Sequence, residues 1–252
     1  MISHSYEKQE ILGVPVHKVG TAEIHNYISQ VIDHQEKALV LNVNVNAMNL
    51  AIQRSWMSDL FRKAPLVFCD GDGVRWALKW KGYGPPPKVT YARWIWELAD
   101  WCAGKNYSFY FLGGKPGIAE KARDALREKI PNLQVRGYRD GYFEKEGKEN
   151  EAVIEEINRL KPDILILGFG MPLQEEWLNQ YWEKLDARIF LTGGAVFDYT
   201  SGVLKRAPEW MIRMQMEWLY RLLQDPVRLF QRYVFGNPYF FYQVFLEKIG
   251  RR

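Results

Sequence analysis

The chain has 252 residues, 47% hydrophobic, 25% charged and 15% aromatic, with no low-complexity tract. That is enough for one sizeable domain with an attachment, or for two small ones, and it excludes a disordered or fibrous protein. The net charge of +4 is unevenly spread: nine Lys/Arg against four Asp/Glu lie in residues 205–252, leaving residues 1–204 at about −1, which points to an anionic partner for the tail.

The opening "MISHSYEKQEILG" is polar and lacks a secretory pattern. The histidines His4, His17, His25 and His34 lack metal-ligand spacing, and Cys69 and Cys102 form neither a CxxC motif nor a disulfide framework. These features predict a cytoplasmic protein. The first strand signal is "KALVLNVNVN", followed by a helix over "AMNLAIQRSWMSDLFRKA". Asparagine is a poor strand former, so Asn42, Asn44 and Asn46 at alternate positions predict three amides on one face at a strand end, able to bind a sugar or phosphate. "PLVFCDGDG" is a short strand ending in a turn that carries Asp70 and Asp72. That pair reads as a DxD site for a metal-bound nucleotide diphosphate, as one working carboxylate, or as a structural turn. Val74 at a ligand position excludes an EF-hand loop.

"YSFYFLGGKPG" is a strand running into glycines ahead of the amphipathic helix "IAEKARDALREKI", a location that favours a phosphate. It matches neither GxGxxG nor a Walker A sequence. "LQVRGYRDGYF" is a strand and turn, "NEAVIEEINRLK" a helix, "PDILILGFGMP" a buried strand, "LQEEWLNQYWEKL" a helix, and "ARIFLTGGAVFDYTSG" a last strand and loop. Gln174 and Glu175 open one helix, and Asp198 follows a glycine pair. Repeated β-turn-α units predict an α/β fold with a largely parallel sheet flanked by helices. Ligands bind beyond the carboxyl ends of such strands, so the polar turns are expected to converge on one cleft.

No strand signal follows residue 200, which predicts a catalytic α/β domain over residues 1–204 and a helical, membrane-associating appendage over residues 205–252. One helix is expected over "PEWMIRMQMEWLYRLL", a second from Asp225-Pro226, a stop at "GNP", and a third helix opened by Pro238. Arg213, Glu217 and Arg221 form one expected stripe, and Arg228 and Arg232, four apart, a second. The uncharged residues 234–246 fall short of the ~20 apolar residues a spanning helix needs. The arginines and interleaved aromatics instead fit lipid headgroups and the membrane interface. No basic groove elsewhere supports nucleic acid as a partner.

Taken in order, "LNVNVNAMNLA", "DGDGV", "FLGGKPGIAEKA", "GYRDGYF", "LGFGMPLQEEW", "GGAVFDYTSGVLKRAPEWM" and "EWLYRLLQDPVR" resemble the WecG/TagA/CpsF family of bacterial glycosyltransferases. The resemblance implies a GT-E fold, which is a compact Rossmann-like sheet with a C-terminal helical appendage. It implies transfer of a sugar from a UDP-sugar to a polyprenyl-diphosphate-linked sugar at the inner face of the cell membrane, for teichoic acid, common antigen or exopolysaccharide. No metal or other cofactor is implied. Carried over by motif, Asp70 is the general base and Asn44 matches a family asparagine. Asn42 stands where many members have threonine, and Lys88 where an arginine near the phosphates is frequent. Gln174 matches a substrate-binding glutamine, Tyr142 and Asp198 match positions near the uracil, and Arg221, Arg228 and Arg232 match or neighbour basic positions of the tail. The reaction implied is a single displacement with inversion. A metal-dependent DxD transferase and a nucleotide-dependent oxidoreductase stand as alternatives, and a second copy of the chain is a candidate partner.

Overall fold

The computed structural model describes residues 6–251; His4, Arg252 and the first five residues of the polar N-terminal stretch lie outside them. Six strands form one parallel sheet: β3 (Ala38–Val43), β4 (Leu66–Cys69), β5 (Ser108–Gly113), β6 (Gln134–Arg139), β7 (Ile164–Gly168) and β8 (Ile189–Thr192), in the order β4-β3-β8-β7-β5-β6. Every strand signal named above falls on one of them. Five of the six are buried along most or all of their length, with β6 the open edge. Alternate residues feed the two faces. Leu39, Leu41, Val67, Leu112, Leu165 and Phe190 pack on one side, and Val40, Phe68, Phe109, Phe111, Ile166 and Leu191 on the other. Burial on both faces is why these segments are continuous apolar runs instead of alternating ones.

An antiparallel hairpin precedes the sheet, β1 (Lys8–Ile11) with β2 (Val14–His17). His17 ties it to β4, its Nδ1 accepting from the Val67 N–H at 3.0 Å. Helices α1 (Thr21–Asp33), α5 (Tyr91–Lys105), α6 (Ile118–Lys129) and α9 (Val196–Thr200) cover one face. The other is covered by the hairpin with α2 (Val45–Gln53), α3 (Ser55–Lys63), α4 (Asp72–Trp80), α7 (Gly147–Leu160) and α8 (Leu173–Tyr181). From β3 the chain moves outward to β4, whereas β5 leads to the opposite edge at β6 and the chain returns through β7 to β8 beside β3. The rim between β3 and β8 is where such a sheet opens a ligand crevice. The ends of β5 and β7 approach closely: a Cβ on Gly113, whose φ is 150°, would lie 2.5 Å from the Gly168 backbone.

Several expectations need correction. Only Asn42 and Val43 of "NVNVN" belong to the strand, although all three asparagines line one cavity. β3 stops at Val43, and Asn44 caps α2 with its Oδ1 accepting from the Ala47 N–H at 3.1 Å. Local capping overrides the period-2 pattern. The helix after it breaks at Arg54 into α2 and α3. In the tail, "PEWMIRMQMEWLYRLL" is two helices, α10 (Glu209–Arg213) and α11 (Glu217–Gln224). Gln215 is left-handed at φ 59°, and the Met216 and Gln215 N–H groups reach back to the Met211 and Ile212 carbonyls, a paired stop that ends α10. Arg213 therefore shares no stripe with Arg221. Finally, "GNP" stops nothing. After α12 (Pro226–Phe230) a π turn at Gln231–Phe235 runs directly into α13 (Gly236–Lys248), with the Gly236 N–H bonded to the Gln231 carbonyl. Pro238 lies in the first turn of α13, where a missing N–H is tolerated.

The tail is thus of two kinds. α13 returns to the core: Phe240 and Val244 are fully buried against the hairpin face, and Glu247 accepts from the Leu12 N–H at 2.8 Å and from Lys81 at 2.7 Å. Asn49 of α2 donates to the Gly236 carbonyl at 2.7 Å. By contrast α10, α11 and α12 expose Trp210, Met214, Leu223 and Phe230, and Val227 is 92% exposed. Among the described residues no helix is long and apolar enough to cross a membrane.

Candidate active site

Asp70 is the residue after β4, and its N–H continues the parallel ladder to the Val43 carbonyl at 2.9 Å. Gly71, at φ 91°, turns the chain sharply into α4. The carboxylate therefore stands on the sheet rim, partly exposed, in a cavity of about 600 Å³. Its orientation is set across three neighbouring strands. Thr192 of β8 donates to Asn42 Oδ1 at 3.1 Å, and Asn42 of β3 turns its Nδ2 to Asp70 Oδ2 at 3.5 Å. Asn42 and Thr192 are themselves 3% and 1% exposed. Asn42 is thus a positioning residue, and Thr192, unremarked in the sequence, is the hydroxyl that decides which way its amide points.

The roof is cationic. Arg221 on α11, Arg228 on α12 and Arg232 in the π turn line the cavity with Glu217, Trp218 and Tyr233. Burial pushes the Asp70 carboxyl up to about 6, while Arg221, Lys88 and Arg232 pull it back down and Glu217 adds to the rise. A carboxylate in that range is ionised at neutral pH yet basic enough to take a proton. Burial also lowers Arg232, and the Arg221 guanidinium lies 5.7 Å from the centre of the Tyr199 ring.

Asp72 lines the same cavity but is engaged. Its two oxygens are taken by Arg75 at 2.9 Å and Lys88 at 2.7 Å, and Arg75 also donates to the Pro86 carbonyl at 2.8 Å. The pair "DGD" therefore acts as one free and one engaged carboxylate. A divalent ion would have to displace two cations to use both. Lys88 lines the cavity with its charge committed to Asp72.

Gln174 lies beneath the floor and is fully buried. Its Oε1 accepts the Gly170 and Gly194 N–H groups at 3.2 and 3.0 Å, and its Nε2 donates to Glu175 Oε1 at 2.7 Å. It does not line the cavity; it joins the loops after β7 and β8 that do. Glu175 is also fully buried, and burial pushes its carboxyl up to about 7. Asn44 and Asn46 line the cavity from the start of α2.

The polar turns line two adjoining cavities. Tyr142 and Asp198 line a second cavity, of about 750 Å³, with Lys115, Lys145, Phe143 and Phe169. The loop after β7 divides the two, contributing Phe169 to one and Gly170 and Met171 to the other. Tyr142 is 70% exposed, and burial raises the Asp198 carboxyl while Arg228 and Lys115 lower it. Lys145 is held by the Gly141 and Phe143 carbonyls, each at 2.7 Å, with its ammonium 3.6 Å from the centre of the Phe143 ring. Arg228 is the one charged side chain, among the described residues, that lines both cavities.

One partly buried carboxylate under a guanidinium roof, on the rim of a parallel sheet and beside a second cavity lined by aromatics and by charges of both signs, suits group transfer with an anionic leaving group. The class is a glycosyltransferase: a family model described as "Glycosyl transferase WecG/TagA/CpsF family" matches residues 9–252, and the chain belongs to that family. The chain is 27% identical over 197 residues to an N-acetylglucosaminyldiphosphoundecaprenol N-acetyl-beta-D-mannosaminyltransferase of Bacillus subtilis (strain 168), covering 78% of this chain and 75% of the relative. It is 28% identical over 228 residues to a Staphylococcus aureus (strain MRSA252) protein of the same name, covering 88% and 87%. The family assignment sets aside the oxidoreductase alternative.

Proposed function

We propose that this enzyme moves a sugar from a UDP-sugar onto a hydroxyl of a polyprenyl-diphosphate-linked sugar, as the names of its relatives describe for N-acetylmannosamine and an N-acetylglucosaminyl-diphosphoundecaprenol acceptor. The observation that carries this reading is the Thr192–Asn42–Asp70 chain, which holds a basic carboxylate on the floor of a cavity roofed by arginines. In the proposed step Asp70 accepts the proton of the acceptor hydroxyl as its oxygen bonds to the anomeric carbon. The bond from that carbon to the UDP oxygen breaks, and the anomeric configuration inverts. Lys115, Tyr142 and Asp198 would hold the nucleoside in the second cavity. Arg228, common to both cavities, would receive the diphosphate between them, and Arg221 and Arg232 the charge of the acceptor diphosphate. A leaving diphosphate met by guanidinium groups supports a metal-independent reaction.

The exposed apolar residues of α10 to α12, interleaved with arginines, support docking on the inner face of the cell membrane, where the acceptor would lie. The test is a panel of UDP-sugars with a polyprenyl-diphosphate-linked N-acetylglucosamine, followed by mass of the product and UDP release, with and without EDTA. Transfer insensitive to EDTA is the expected result. UDP-sugar hydrolysis without transfer to any lipid-linked acceptor would overturn the acceptor assignment, and loss of activity in EDTA restored by Mn²⁺ would overturn the metal-free mechanism.

A further inference from the structure

The starts of α2 and α13 give the first cavity only neutral side chains: Asn44, Val45 and Asn46 from one, Asn237 and Phe241 from the other. The two helices are joined there, because Asn49, one turn beyond Asn46, donates to the carbonyl of Gly236, the neighbour of Asn237. The join sets Asn46 and Asn237 on the same wall. Both are only half-buried. Among the described residues the Asn237 amide makes no hydrogen bond, and Asn46 makes only a weak one, from Nδ2 to Met171 Sδ at 3.8 Å. None of their unpaired amide atoms is buried, so both present open donors and acceptors to the cavity they line.

Helix α4 adds a ring. Its Trp80 stacks on Phe245 of α13, with centroids 6.1 Å apart, and one turn earlier on each helix Trp76 and Phe241 reach the cavity. Trp76 is 44% exposed, so much of its ring is open to a ligand. An apolar ring beside neutral amides suits a pyranose, whose C–H face packs on the aromatic while its hydroxyl or N-acetyl groups pair with the amides. A phosphate would find no cation among these residues; those of the cavity are Lys88 and the three roof arginines.

We propose that Asn46, Asn237 and Trp76 form the subsite for the acceptor sugar, holding its ring in the cavity so that one hydroxyl meets Asp70. The inference rests on the glycosyltransferase reading and adds to it where one of the two sugars is held. Position favours the acceptor over the donor. The second cavity, read as the nucleoside site, takes no residue from α2, α4 or α13, and the donor sugar has to stay beside its diphosphate at Arg228, which joins the two cavities.

Asn237→Leu keeps the bulk and removes the amide, and Trp76→Ala removes the ring. Each is expected to raise KM for a polyprenyl-diphosphate-linked N-acetylglucosamine about tenfold, with KM for the UDP-sugar, UDP affinity and melting temperature unchanged. The same rise is expected with a short-chain, water-soluble form of that acceptor, which separates a contact with the sugar from one with the lipid. A rise in KM for the UDP-sugar instead, an unchanged acceptor KM, or an effect confined to the long-chain acceptor would overturn the proposal. A lower melting temperature with both KM values raised would make the residues structural and overturn it equally. Wild-type enzyme that transfers no sugar to any lipid-linked acceptor would bring down the parent reading and this one with it; normal wild-type transfer with indifferent variants defeats this one alone.

Discussion

Asp70 stands one residue beyond a strand with every residue buried, whereas Arg221 stands on an eight-residue helix without a single buried residue. Both line one cavity. The floor is held by strand pairing, by the Thr192–Asn42 hydrogen bond, and by Gln174 joining two loops from below. The roof is anchored on its C-terminal side by the Asn49–Gly236 hydrogen bond and the buried Phe240 and Val244, while α10 and α12 each bury one residue, Met211 and Leu229, and α11 none. In the proposed reaction Asp70 is the base, and a base must be held to within fractions of an ångström to act, which a place in the sheet provides. A guanidinium roof has to admit a long lipid-linked substrate and release it. Helices with little core of their own can move without unfolding the domain.

The sharpest way to break this contrast is at the floor. Asp70→Asn is expected to lower kcat about 10³-fold while UDP still binds, read by radiolabelled transfer and calorimetry. At the roof, Arg221→Ala and Arg232→Ala should each cost about 10- to 100-fold in kcat/KM with little change in melting temperature. A large fall in melting temperature would show that the roof is as structural as the floor. Deletion of residues 205–252 is the poorer experiment, because it strips Phe240 and Val244 from the core.

Acidity probes the floor next. With the Asp70 carboxyl near 6, kcat/KM should fall about tenfold per pH unit below that value as the base is protonated. The stability sign is opposite. A carboxyl raised from 3.8 to about 6 by folding contributes stability at low pH that is lost as pH rises through 6. Asp70→Asn should therefore be more stable than wild type at pH 8, by an upper bound of about 2–3 kcal/mol, and should show no gain below pH 4. Urea titrations at the two pH values measure it. Gln174→Ala, which orphans the Gly170 and Gly194 amides and Glu175, is expected to destabilise by about 1–3 kcal/mol in the same titrations. The smallest effect belongs to the outer roof. Leu223→Ser with Val227→Ser should weaken sedimentation with anionic vesicles several-fold and leave the urea midpoint unchanged; undiminished sedimentation would assign the membrane contact to another surface.

Much of the α/β architecture was legible because its signals are local. A parallel strand buried on both faces needs a continuous apolar run, and "DILILG" or "SFYFLG" cannot easily be anything else. Asp70, Asn44 and Gln174 were likewise visible as polar residues at strand ends or helix starts. The β1–β2 hairpin, α1, α4 and α5 carried weaker signals and went unread. In "NVNVN" the extended backbone holds through Asn42 and Asn44 and ends where the Asn44 cap starts α2 at Val45, so Asn46 reaches the same cavity from a helix and not from a strand.

What the sequence by itself determined is which segments become strands and which side chains end up beyond their carboxyl ends, since hydrophobic period and turn chemistry act over a few residues. Only the tertiary structure decided strand order. By setting β8 beside β3, it let Thr192 reach Asn42 across 150 positions of sequence and aim it at Asp70. It also arranged the polar turns around two adjoining cavities, withdrew Gln174 beneath the floor, tied Asp72 to Arg75 and Lys88 on the cavity wall, and brought the arginines of the tail over the floor. Each of these depends on which apolar faces pack together, and no local pattern encodes that choice.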